Sequence, residues 1–154
     1  MLQDSMDEDA VIAAMYRAAT GETPWREALN AINSVTGCWV SQLMGVDLAT
    51  GRITYSYEGG DGYPEAIVEY VRHYHQIDPH LQYLIPLEPG HWYHSTDHYD
   101  DAAAAVHPFY QDFLIPFGDR YVSAAKIDQD ETSAVILGLH RAVGTSPLDA
   151  AMRL

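Results

Sequence analysis

The chain has 154 residues, 47% of them apolar, with 22 acidic side chains against 8 Lys plus Arg and a formal net charge of −14. That length and apolar content suit one folded domain with its own core rather than disorder, and the charge repels phosphate, which argues against nucleic acid or an anionic membrane as a partner of this segment. A single cysteine, Cys38, excludes an internal disulfide framework and fits a reducing cytoplasm, and no apolar run approaches the length of about 18 residues that a membrane span needs. The acidic N-terminus has no signal-peptide pattern.

Asp7, Glu8 and Asp9 place negative charge where a helix dipole favours it, and Val11, Ile12, Met15, Tyr16 and Ala19 follow at helical spacing, predicting a helix over 8–19 that ends at Gly21. Pro24 opens a second helix with Trp25, Leu29, Ile32 and Val35 on one face and Gly37 as its cap. Residues 38–46 read as a strand with Trp39, Ser41, Leu43 and Gly45 on one side. The turn Asp47–Gly51 returns the chain into a second strand, in which Ile53, Tyr55 and Tyr57 alternate. Pro64 starts a third helix carrying Ile67, Tyr70, Val71 and Tyr74, and Ile77-Asp78-Pro79-His80 breaks it. Prolines and glycines then divide 79–106 into turns, a short strand at Trp92-Tyr93 and a helical turn at 102–106. Phe109, Phe113 and Leu114 stand at i, i+4 and i+5 in a short helix between Pro108 and Pro116. Strands at 121–127 and 133–140 close the pattern. Ala134–Leu139 is apolar throughout, so that strand is central and covered on both faces.

These elements make an α+β fold: a central antiparallel sheet of five or six strands with helices packed mainly on one face. Ser146–Leu154 reads as a capped helix cut short, the start of something longer.

Chemistry is sparse. Six of the eight histidines fall between His73 and His98. His94 and His98, with His91, could share a metal ion on a continuous helix, but Pro89-Gly90 and Ser95-Thr96 interrupt one, which favours surface or hydrogen-bonded imidazoles over a metal or haem site. Cys38 opens an apolar strand, as a small core residue does. No nucleophile elbow, phosphate loop, dinucleotide fingerprint or other cofactor motif occurs, so the residues support no enzyme. Eleven tyrosines and three tryptophans are the remaining signal. Trp39, Tyr70, Tyr74, Trp92, Phe109, Tyr110 and Phe113 fall on inward positions. Any one of them is ordinary core filling. Together they suit a ring-lined cavity between the sheet and the helices at 64–76 and 107–115, with Ser41, Gln42 or His73 to orient a ligand's polar atoms.

The order of these segments resembles the N-terminal sensory domain, PAS-like or GAF-like, of LuxR-type helix-turn-helix transcription regulators. The matching stretches are Met15–Ala19, Trp25–Leu29, Tyr70–Tyr74, Ile77–Pro79, Phe109–Gly118 and Leu137–Arg141, and together they span about residues 10 to 149. The resemblance implies a single sensory domain over 1–154: the N-terminal helix at 8–19, a PAS/GAF-like core at 23–145 and an output helix beginning at 146–154. It implies a cytoplasmic homodimer that binds a small-molecule effector and reaches DNA through a C-terminal domain outside this chain. No acyl-homoserine-lactone motif is visible, so the effector class stays open. The competing readings are a ligand-free dimerisation module and a metal or haem sensor built on the histidines at 73–98.

Overall fold

A computed structural model describes residues 2–148. Five strands form one antiparallel sheet: β1 (Val40–Asp47), β2 (Ile53–Gly60), β3 (Trp92–His94), β4 (Asp119–Gln129) and β5 (Ser133–Ala142). Their order is β2-β1-β5-β4-β3, so the apolar run at 134–139 lies in the central strand, as its composition requires. Ser41 pairs with Leu139 and Gln42 with Gly138. Alternation therefore sends Ser41 and Gln42 to opposite faces of the sheet.

Most helices cover the face that carries Met44, Val122, Ala124 and Ile136. They are α3 (Pro64–Arg72), α4 (Leu81–Leu84), α5 (Asp101–Ala104) and a π-helix (Phe109–Leu114), and they contribute Tyr70, Leu84, Ala104, Phe109, Phe113 and Leu114 to the main core. On the opposite face α2 (Trp25–Thr36) sets Leu29 and Ile32 against Cys38, Leu137 and Leu139. The outermost helix, α1 (Leu2–Ala19), packs on α2.

α1 and α3 differ from their expected faces, Val71 of α3 being exposed rather than inward, and the helix at 109–114 differs in its turn. In α1 the inward residues are Val11, Ala14, Met15 and Ala18, while Ile12 and Tyr16 point to solvent. Ala14 and Ala18 meet Ala28 of α2, so small side chains select the face by letting the backbones approach. At 109–114 the expected α-turn widens. Ile115 N bonds Tyr110 O, an i→i+5 link that brings residues four and five apart onto one side. Phe109, Tyr110, Phe113 and Leu114 are all buried as a result. Of the expected helix over 146–154, residues 146–148 have no regular structure, Leu148 packs beside Leu29 and Ile32, and the remainder lies outside the described residues.

Candidate functional site

Between the sheet and the layer of α3 and the π-helix lies a cavity of about 230 Å³. Its floor is Met44, Val122, Ala124, Ile136 and Gly138; its roof is Ile67, Tyr70, Leu81, Leu84, Phe109, Phe113 and Leu114. Two of the floor residues, Ala124 and Gly138, are small and leave room above the sheet. A Cβ at Gly138 would touch only the His140 ring, with Nε2 at 3.4 Å and Cδ2 at 3.9 Å. Around the rim, Gly59, Gly60 and Gly62 bring the backbone close, and Arg26 donates to Gly60 O at 2.8 Å.

Two polar clusters interrupt the apolar lining. In the first, Asp78 lies in the extended residue pair before Pro79, where proline forbids helix. Its Oδ2 accepts from Tyr70 Oη at 2.7 Å, and its Oδ1 faces both the His80 amide and His80 Nδ1 at 2.9 Å. His80 Nε2 in turn meets Tyr110 Oη at 2.7 Å. Burial pushes the Asp78 carboxyl up, but His80 beside it and the hydrogen bonds from His80 and Tyr70 more than reverse this and hold it below the ordinary carboxylate value. Burial, reinforced by the negative charge of Asp78, drives the Tyr70 hydroxyl the other way, well above the usual phenol value. The chain therefore holds a buried carboxylate on a neutral tyrosine.

The second cluster joins Trp39, Asp119 and His140. Trp39 Nε1 donates to Asp119 Oδ1 at 2.5 Å, and Asp119 Oδ2 lies 3.1 Å from His140 Nδ1, a close ion-pair contact without the alignment of a hydrogen bond. Burial favours the neutral imidazole, yet Asp119 outweighs it and raises His140 above its ordinary value, with a smaller push from Asp78. Gly118, at φ +91°, turns the chain beneath Trp39, whose ring would stand 2.9 Å from any Cβ there.

Of the residues singled out from sequence, Trp39, Gln42, Tyr70, Phe109 and Phe113 line this cavity. The other five lie elsewhere. Ser41 is buried on the α2 face, donating to Leu29 O at 3.1 Å. Trp92 packs on that same face, stacked with His94. His73 is exposed at the end of α3. Tyr74 stacks on Phe113 at 4.7 Å between centroids without reaching the cavity. Tyr110 is fully buried and acts on the site through His80.

Sequence reasoning missed Asp78, His80, Asp119, His140 and Gly138. The Asp-Pro-His order carried a signal, since it fixes an extended carboxylate beside an imidazole, but it reads first as a helix breaker. The clustered histidines disperse: His75 bonds Tyr70 O, His94 bonds Ser123 Oγ, and His98 stacks on Tyr83 at 3.8 Å. Among the described residues no group of three or more His, Cys, Asp or Glu is placed to hold a metal. Cys38 is buried, and that burial raises its thiol pKa despite Thr36 and Arg141.

No family model and no curated protein sequence matches the chain. Solved structures do. One is CepR2 of Burkholderia cenocepacia, an N-acylhomoserine lactone dependent LuxR family transcription factor, at 23% identity and a TM-score of 0.69 over 99% of this chain and 85% of that one. Another is the ligand-binding domain of VqsR from Pseudomonas aeruginosa, at 12% identity and a TM-score of 0.64 over 97% of this chain and 84% of that one. The chain has the fold of a LuxR-type ligand-binding domain. Escherichia coli SdiA shares it at 17% identity and a TM-score of 0.57, over 90% of this chain and 57% of that one. In this LuxR-type fold the cavity sits under α3 and the π-helix, and no described helix is long and apolar enough to cross a membrane.

Proposed function

We propose that this chain is a small-molecule sensing domain, that its effector occupies the cavity beneath α3 and the π-helix, and that occupancy is relayed to a DNA-binding helix-turn-helix. The observation that carries this reading is the cavity: about 230 Å³ lined by aromatic and aliphatic side chains, with a few convergent polar groups. Such a lining is what a ligand site needs. The volume is several times the roughly 30 Å³ share of one water, yet below the roughly 300 Å³ at which drug-sized sites begin. The effector is therefore small. The likeness to an acylhomoserine-lactone-dependent factor makes short-chain acylhomoserine lactones the first compounds to try.

The ring contacts come from Trp39, Tyr70, Phe109 and Phe113, and Gln42 offers an amide at the sheet surface. A ligand that binds one conformational state better than another shifts the population by that difference in affinity, and so biases the output. The domain acts as a cytoplasmic homodimer and catalyses nothing in this reading. Ile12 and Tyr16, 52% and 70% exposed on α1, support self-association through that helix.

Thermal-shift titration with acylhomoserine lactones of graded chain length, alongside a panel of small metabolites, tests the proposal. A true effector at a hundredfold excess over its Kd stabilises the fold by about 2.7 kcal/mol. Absence of any stabilising compound, with an unchanged dimer, would favour the ligand-free module.

A further inference from the structure

The two polar clusters of the cavity differ in how far their hydrogen bonds are used. Both oxygens of Asp78 are taken by Tyr70 and His80, and His80 Nε2 is taken by Tyr110. In the second cluster, Asp119 Oδ1 is taken by Trp39 and Oδ2 faces His140 Nδ1. Among the described residues no hydrogen-bond partner meets His140 Nε2. That nitrogen borders the space left over Gly138, where an added Cβ would find it at 3.4 Å and little else. Both residues line the same cavity.

Resting on the sensing reading above, the geometry points to His140 as the specificity-determining donor of the cavity, its Nε2–H placed for the carbonyl oxygen of a neutral ligand with an apolar chain. Asp119 lies behind the ring on the Nδ1 side, which leaves Nε2 as the nitrogen that faces the void. A protonated imidazole donates from both nitrogens, and the raised pKa of His140 favours that form. A carboxylate is opposed because Glu58, Asp78 and Asp119 outnumber Arg26 in the lining, and a cation is opposed by the imidazolium of His140 that it would have to meet, which leaves a neutral ligand. Its chain is apolar because the rest of the floor and roof is hydrocarbon and aromatic ring.

Three near-isosteric probes separate the contributions: octanamide, 2-nonanone, which lacks the amide donor, and 2-methyl-1-nonene, which lacks the carbonyl as well. Binding is read from the change in intrinsic tryptophan fluorescence and from thermal shift. The wild-type chain should bind 2-nonanone about tenfold more tightly than the alkene, the ratio one hydrogen bond supplies. His140→Phe should bind the two alike, and His140→Gln, which keeps a donor, should retain part of the preference. Equal binding of ketone and alkene by the wild type overturns the role of His140 and leaves the sensing site standing. A preference that survives in His140→Phe overturns it too. If neither the probes nor acylhomoserine lactones bind, both readings fall together. Should His140→Phe fail to fold, the His140 Nε2 nitrogen resonance of the wild type decides: it should move with 2-nonanone and not with the alkene, and a resonance that moves with neither overturns the role.

Discussion

Tyr70 Oη donates to Asp78 Oδ2 across 2.7 Å, tying α3 to the loop that follows it and closing one wall of the cavity. The tyrosine belongs to a helix stripe and the aspartate to a proline-terminated turn. Neither is held by its own element alone. The bond also explains why a carboxylate survives in this core, since burying one without donors costs more than a single domain can spare.

Removing that donor should therefore be felt in stability. Tyr70→Phe leaves the ring packing on Phe113 intact but takes one of the hydrogen bonds from a buried carboxylate, at a cost of about 1–3 kcal/mol. Urea denaturation of the variant beside the wild type measures it. An unchanged midpoint would mean that water replaces the hydroxyl without loss.

Phe113 is the centre of a ring stack, with Tyr74 at 4.7 Å, Phe109 at 5.3 Å and Phe117 at 5.5 Å between centroids. Phe113→Ala should cost about 3–5 kcal/mol, as large-to-small changes at buried aromatic positions do. Because Phe113 is also part of the roof, the variant should bind a longer-chain ligand than the wild type accepts. Denaturation and a chain-length series of acylhomoserine lactones give the two readouts.

The frame of this fold can be read in the sequence because its strands declare themselves by composition and its turns by chemistry. Ala134–Leu139 has the unbroken apolar composition of a strand covered on both sides, and Asp47–Gly51 carries turn-forming residues between two strands. What fails is side-chain direction wherever regular periodicity stops. Strand alternation puts Trp39 with Ser41, but Trp39 precedes β1, and its indole reaches instead to Asp119, eighty residues on. The π-helix shifts Tyr110 inward, and the short pieces between residues 81 and 104 are too brief to carry a period at all. Three of the seven charged, amide or imidazole side chains in the lining come from such places: Asp78 and His80 from a broken helix, Asp119 from a strand end fixed by Gly118. Local pattern specifies the scaffold, and tertiary contact specifies the cavity.

Gly138 offers a direct test of whether the void matters. Its backbone is not in the left-handed region, its strand is central, and a β-branched residue suits such a position. Gly138→Val should fill part of the cavity after a small shift of the His140 ring, keep the fold by circular dichroism, and abolish the ligand-induced thermal shift. Undiminished ligand response in a folded Gly138→Val variant would place the effector elsewhere.

Stability should follow pH in opposite senses at the two polar clusters. Asp78 is held below the ordinary carboxylate value of 3.8, so its contribution is fully present above that value and is lost as pH falls through its folded-state pKa. His140 is raised above 6.5, so its contribution is fully present below 6.5 and is lost as pH rises through the folded-state value. The stability difference between wild type and Asp78→Asn should then shrink as pH falls below about 4, where the carboxylate takes up its proton first in the unfolded chain. The difference between wild type and His140→Gln should be greatest near pH 6 and shrink toward pH 9. Denaturation midpoints taken in pH steps decide it: a His140 difference that grows with pH would mean that the ring is neutral in the folded chain and that Asp119 does not hold its proton.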